Sequence, residues 1–216
     1  MAQLDVIVFD KTGTLTEGGQ PRVSDSKLFS SKWTDDTILG IAAGLESASA
    51  HPLASAIRQF CETQPSASLT CDVPEETAGR GLKAHLETLH STAIIGNEAW
   101  MEDHGAAIGE DVSCLLKVWK SEAKSVILLA VRDETDIDGG FHITAIFAVV
   151  DPLRPEGKSV ISSFQDRGIA TWMLSGDNIV TAKAVAKAVG IPATNVIAGV
   201  LPHEKVCLRN DPPFRL

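Results

Sequence analysis

The sequence predicts an α/β protein in which a parallel-sheet domain is interrupted, after its first strand, by an α+β domain. Three observations carry that expectation. Leu4-Asp5-Val6-Ile7-Val8-Phe9 is a short apolar run with the β-branching of a buried strand, and it delivers Asp10 into a turn rich in Gly and Thr. Ile169-Ala170-Thr171-Trp172-Met173-Leu174 is a second such run, delivering Ser175-Gly176-Asp177-Asn178 at its C-terminal edge. Between them lie helix and strand patterns of another kind, closed by the stiff crossing Asp151-Pro152-Leu153-Arg154-Pro155. The expected organisation is one discontinuous domain, residues 1–17 with 148–216, and an inserted domain, residues 18–147.

Size and charge bound the possibilities. The chain has 216 residues, enough for one large or two small domains, and 44% of them are hydrophobic, as a globular core requires. The net charge of −9, with no basic cluster, argues against a nucleic-acid or anionic-membrane surface. No signal peptide is expected, because Met1 leads almost directly into the first strand. The longest strongly apolar stretch, Ile143 to Val150, falls far short of the roughly 20 residues a membrane-spanning helix needs, so the chain as given is expected to be soluble. Cys61, Cys71, Cys114 and Cys207 show no C-x-x-C spacing and read as free thiols of a reducing compartment. His85 and His90 lie five apart, a spacing that suits no common zinc pair.

The elements follow in order. Glu17-Gly18-Gly19-Gln20-Pro21 reads as a loop out of the first domain, and Val23 to Phe29 as a short strand. Thr34-Asp35-Asp36 is a helix start, and Ile38, Leu39, Ile41, Ala42 and Leu45 recur at helical spacing to about Ser47. Pro52 opens a second helix whose apolar face is Leu53, Ala56, Ile57 and Phe60. His51 stands at its N-terminus, where the dipole disfavours a charged imidazole. It reads either as a plain cap or as a neutral ring able to meet a nucleotide. Gly79-Arg80-Gly81 reads as a β-turn or as a backbone open to a ligand. Asn97, after Gly96, reads as a helix cap. Residues 105–122 carry no readable period. Ser125 to Val131 and His142 to Val150 are two strands joined by an acidic loop. A helix from Glu156 to Arg167 ends before Gly168, another runs from Asn178 to Val189 and stops at Gly190, and Thr194 to Val200 reads as a third core strand.

The chemistry centres on Asp10. The C-terminal edge of an open α/β sheet is where ligands bind. A carboxylate there can act as a nucleophile toward phosphorus and form an aspartyl phosphate. Lys11 and turn N–H groups can offset the phosphate charge, with a divalent cation required as well. A bare D-x-x-G would equally be an Asx-capped strand end.

The whole heptapeptide Asp10-Lys11-Thr12-Gly13-Thr14-Leu15-Thr16 resembles the phosphorylation signature of P-type ATPases, and Ser49-Ala50-His51-Pro52-Leu53 after Glu46 resembles the nucleotide-binding signature of their heavy-metal branch, the copper pumps among them. The resemblance implies a haloacid-dehalogenase-like, Rossmann-type phosphorylation domain with an inserted nucleotide-binding domain. It implies ATP and Mg²⁺ as cofactors. Glu46 and His51 would hold the adenine end of ATP, with Gly79, Gly81, Gly96 and Asn97 beside the nucleotide. Asp151 and Arg154 match the D-x-x-R hinge, with a triphosphate contact. Ser175, Gly176 and Asp177 stand for the family's T-G-D-N, and Lys205 for the Lys of P-x-x-K. Mg²⁺ would be held by Asp10 and a backbone carbonyl near Thr12. The chain departs from the pattern at Ala50, where the family usually carries Glu, and at Ser175, which keeps the hydroxyl.

The resemblance covers nearly all of residues 4 to 205, and no G-D-G-x-N-D loop follows Lys205. The expectation is therefore a catalytic segment without its last core strand, on the cytosolic face of a membrane protein. The actuator and membrane domains, and the transported heavy-metal ion, would belong to the intact pump. With its third Mg²⁺ anchor absent, such a segment is expected to phosphorylate slowly, and its first strand to present an exposed edge. Two alternatives stay open: a nucleotide-binding remnant without turnover, and a free-standing haloacid-dehalogenase-type phosphatase. The second is disfavoured by Thr12, which stands where those enzymes usually place an acid.

Overall fold

The computed structural model describes residues 4–17, 21–29, 32–69, 71–136 and 139–200. In chain order its elements are β1 (Val6–Asp10), β2 (Arg22–Leu28), α1 (Asp35–Glu46), α2 (Pro52–Glu62), β3 (Glu75–Thr77), β4 (Gly81–Leu86), β5 (Ser91–Gly96), α3 (Glu98–Asp103), α4 (Glu110–Ser121), β6 (Ser125–Asp133), β7 (His142–Val150), α5 (Gly157–Gln165), β8 (Ala170–Leu174), α6 (Ile179–Val189) and β9 (Val196–Ile197). The described residues fall into two compact units. One holds 4–17, 120–125 and 151–200; the other holds 21–119 and 126–150, apart from the few positions not described.

The first unit carries a parallel sheet in the order β1-β8-β9. β1 and β8 run in register from Val6 opposite Ala170 to Asp10 opposite Leu174, so both strands end at the same edge. Leu15, Ile161, Met173, Ala182, Val185, Ala186, Val189 and Ile191 form the core under α5 and α6. Asn178 starts α6 by accepting the Val180 and Thr181 N–H groups on its side-chain oxygen, and Gly190, at φ 89°, ends it in the left-handed conformation. The third strand is shorter than expected. Ala193–Asn195 coil into a single 3-10 turn held by Asn195 Nδ2 donating to the Thr171 carbonyl, and Gly199, at φ 72°, turns the chain back so that its N–H meets the Asp177 carbonyl. Two residues of strand remain between these turns.

The second unit is a six-stranded sheet in the order β2-β7-β6-β5-β4-β3. Both faces are covered, which explains why β6 and β7 read as continuous apolar runs. Ile127, Leu129 and Val131 pack with α1 and α2, while Val126, Leu128 and Ala130 pack with α3 and α4. α4 fills the stretch that showed no readable period. Val112, Leu116 and Trp119 are its buried apolar residues, and the exposed Val118 blurs the pattern.

Candidate functional site

Asp10 is the last residue of β1, and the turn after it is closed by one side chain. Thr16 Oγ1 donates to the Lys11 carbonyl and accepts the Gly13 N–H, each at 3.1 Å, and the Thr16 N–H also donates to the Lys11 carbonyl. Gly13 sits at φ 76°, where a side chain would be strained. This folds Thr12 outward while Lys11 and Leu15 turn inward.

The edge of β8 meets this turn. Lys11 Nζ lies 2.6 Å from Asp177 Oδ2, a pair largely withdrawn from water. Ser175, 1% exposed, donates from Oγ to the same oxygen at 3.0 Å and accepts the Asp177 N–H. Ser125 Oγ donates to the other Asp177 oxygen at 3.2 Å. Gly176 lies between these two residues and an added Cβ would approach the Val200 carbonyl to 3.4 Å. Arg154 reaches the turn from the 151–156 crossing: its Nη2 donates to the Gly13 carbonyl at 3.3 Å and its N–H to the Leu15 carbonyl. Asp151 Oδ1 is buried, with no hydrogen-bond partner among the described residues. Asp10 thus shares an edge with Lys11, Thr12, Ser175, Gly176 and Asp177, and Arg154 braces it. Lys205 lies outside the described residues, as does Cys207.

Two carboxylates, Asp10 and Asp177, stand at this edge against the Lys11 ammonium. That excess of hard anionic oxygen suits a divalent cation held by few protein groups and its own waters. Among the described residues no three His, Cys, Asp or Glu side chains gather as a complete metal cage.

The second cluster lies wholly in the other unit. Glu46 ends α1 and is 6% exposed. Burial pushes its carboxyl up to about 7; Arg58 opposes that rise and Glu76 on β3 adds to it. His51 caps α2, its Nδ1 accepting the Leu53 N–H at 3.2 Å. The ring proton is therefore assigned to Nε2. The cap role and the exposed ring edge coexist, so the two readings of His51 are not exclusive.

Gly79, Gly81, Gly96 and Asn97 come together at the start of β4 and the end of β5. Gly79 is in the β3–β4 turn at φ 73°. Gly81 pairs with Gly96, and a Cβ on either would collide with backbone and with Trp100 Cδ1: 2.2 Å from the Ile95 carbonyl for Gly81, 2.4 Å from the Arg80 carbonyl for Gly96. Asn97 caps α3 through the Trp100 N–H and donates from Nδ2 to the Gly79 carbonyl at 2.8 Å.

Three residues escaped the sequence reading as individuals. Thr16 was only the end of a motif. Trp100, whose Nε1 donates to the Leu82 carbonyl at 3.1 Å, gave no sign of the glycine pair beneath it. Arg58 lies on an amphipathic helix, and its contacts with Glu46 and Ser49 fall outside that helix, so no periodicity announces them.

Residues 4–206 match the haloacid dehalogenase-like hydrolase family. The probable copper-transporting ATPase PacS of Synechococcus elongatus is 36% identical over 205 residues, which is 94% of this chain and 25% of that protein. Among solved structures, a zinc-transporting PIB-type ATPase in its E2.Pi state matches with a TM-score of 0.57 and 27% identity, over 95% of this chain and 30% of that one. The catalytic domain of the CPx-ATPase CopB, studied for its changes upon nucleotide binding, matches with a TM-score of 0.65 over 97% of this chain and 68% of that one; at 23% identity it bears on the fold alone. The chain spans about a quarter of the length of the curated relatives it matches.

Proposed function

The chain belongs to the haloacid dehalogenase-like hydrolase family, and from that premise we propose that it binds ATP and transfers the γ-phosphoryl group to Asp10, as the catalytic segment of a heavy-metal, copper-type P-type ATPase. The observation that carries the reading is the edge where β1 and β8 end together, with Asp10 beside the Lys11–Asp177–Ser175 cluster. An ionised Asp10 oxygen attacks the γ-phosphorus in line. The bond from that phosphorus to the bridging oxygen breaks, and ADP leaves with the electron pair. No proton has to leave the nucleophile. Lys11 and the N–H groups of the turn meet the charge on the transferring group, Ser175 holds Asp177 in place, and Lys205 adds a second cation.

Mg²⁺ would be held by Asp10 and the Thr12 carbonyl, and supplies neutralisation of the phosphate charge. Thr12 has no acid–base group to speed hydrolysis of the product, which favours an accumulating aspartyl phosphate over phosphatase turnover. Glu46 and His51 hold the adenine end of the nucleotide, and Gly79, Gly81, Gly96 and Asn97 lie beside it. Asp151 and Arg154 hold the crossing, with Arg154 available to the triphosphate. No helix among the described residues is long and apolar enough to cross a membrane. The segment works on the cytosolic face of a pump whose other domains carry the metal ion.

The test is incubation with γ-phosphate-labelled ATP and Mg²⁺, acid quench, and treatment with hydroxylamine. A hydroxylamine-labile label that is absent from Asp10→Asn supports the reading. No label, with ATP binding intact by calorimetry, rejects phosphoryl transfer and leaves a nucleotide-binding module.

A further inference from the structure

Glu46 and His51 sit on opposite sides of a short turn, residues 47–50. α1 ends at Glu46, and residues 47–50 are Ser-Ala-Ser-Ala. Local hydrogen bonds here include the Ser47 N–H and Oγ to the Gly44 carbonyl, the Ser49 N–H to the Glu46 carbonyl at 3.2 Å, and the His51 N–H to Ser49 Oγ at 3.2 Å. Ala50 offers no polar atom. The carbonyls at this helix end form the negative pole of α1, yet α1 has no basic residue in its last turn.

Arg58, from the second turn of α2, fills that vacancy. Its Nη1 donates to the Glu46 carbonyl at 2.5 Å and to the Ser49 carbonyl at 2.9 Å, spanning the turn with one nitrogen. The same cation opposes the rise of the Glu46 carboxyl. We propose that Arg58 is the positioning residue of the nucleotide subsite: it bridges the Glu46 and Ser49 carbonyls and so holds the Glu46 carboxylate and the His51 ring in register for an adenine base. The proposal deepens the ATP-binding reading and rests on it. Charged donors to two carbonyls are among the stronger hydrogen bonds, so their loss is large enough to read as affinity.

The test is ADP binding by calorimetry to the full chain and to Arg58→Ala, Arg58→Lys and Arg58→Gln, with thermal melts to confirm folding and amide exchange across residues 44–53. Arg58→Ala is expected to bind roughly tenfold more weakly. Arg58→Lys, which keeps a charged donor, recovers most of that loss. Exchange at Ser49 and His51 quickens in Arg58→Ala while β5 and β6 keep their protection. A further readout separates positioning from simple packing. Affinity that depends on an ionised Glu46 falls as pH drops through about 7. Removing the cation in Arg58→Gln moves that fall to higher pH, with Glu76 and Cys61, the other titratable groups coupled to Glu46, left in place. Wild-type binding with unchanged affinity in Arg58→Ala overturns the proposal. No ADP binding by the wild-type chain overturns the nucleotide reading itself, and the positioning role with it.

Discussion

Glu46 is a carboxylate at the negative end of its own helix, with 6% of its surface in water. Both facts disfavour its charge. Its carboxyl titrates near 7 in the fold, against 4.5 for the ordinary group. The folded pKa is raised, so the fold binds the extra proton between those values and loses stability as pH rises through them. The penalty is absent below about pH 4.5 and complete above about pH 7, where it amounts to about 3 kcal/mol. Glu46→Gln is therefore expected to melt with the wild type near pH 4.5 and several degrees higher at pH 8. Melts that differ equally at both pH values would dismiss the buried-charge account. Such a cost retained at one residue supports the proposed role of Glu46 as a ligand group. Thr16 offers a second residue-scale test. Thr16→Val removes the hydroxyl that links Lys11 and Gly13, and should cost about 1–2 kcal/mol and slow labelling of Asp10. Labelling at the wild-type rate would show that the turn keeps its shape without that link. The heptapeptide pointed to Asp10, but nothing in the sequence said that its last threonine closes the turn.

At the scale of elements, the start of β4 and the end of β5 are pressed together under Trp100. Gly81 and Gly96 were legible as a G-x-G and a Gly-Asn, and both read as places where a ligand approaches. The structure adds a packing demand of its own, since Cβ atoms there would lie 2.5 and 2.7 Å from Trp100 Cδ1. Gly96→Ala is expected to destabilise the second unit by at least about 1–3 kcal/mol, because backbone on one side and an indole on the other leave no room to shift. Gly140→Ala is the control: among the described residues nothing lies within 4 Å of its added Cβ, and its melting temperature should stay with the wild type. A Gly96→Ala melt no lower than that control would rule out the crowding, and loss of nucleotide affinity in a fully folded variant would assign the glycine to the ligand alone. β6 and β7 were legible because both faces of their sheet are buried, so burial and strand period agree. α4 was not, because its buried stripe is only one residue wide in places and Val118 faces water. β9 was overestimated because four of its seven expected residues, Thr194, Val196, Ile197 and Val200, are β-branched, while the 3-10 turn before it depends on the distant Thr171 carbonyl.

At the scale of the molecule, three punctuation points in the sequence lead to the expectation that one domain interrupts another: a strand ending in Asp10, a Pro-bound return, and a second strand with the same ending. The place of Lys120–Ser125 among the residues of the first unit was not legible, since it depends on contacts made only in the folded chain. The inserted unit has a feature that makes its independence testable. Its first and last strands are neighbours, with Arg22 opposite Val150, so the chain enters and leaves at one point. Cutting there breaks no strand pair, and the two apolar layers on either side of the six-stranded sheet remain whole. Glu46, His51, Arg58, Gly79, Gly81, Gly96 and Asn97 all lie inside the cut, whereas Asp10, Lys11, Ser175 and Asp177 lie outside it. A polypeptide of residues 21–150 is therefore expected to fold, to bind ADP within roughly threefold of the full chain, and to take no label from ATP. Asp10→Asn in the full chain should likewise bind ADP normally and fail to label, while His51→Gln should lose affinity yet still label when ATP is raised. If the 21–150 piece folds but binds at least tenfold more weakly, the nucleotide subsite draws on residues of the other unit, and the division of labour proposed for the two units is wrong.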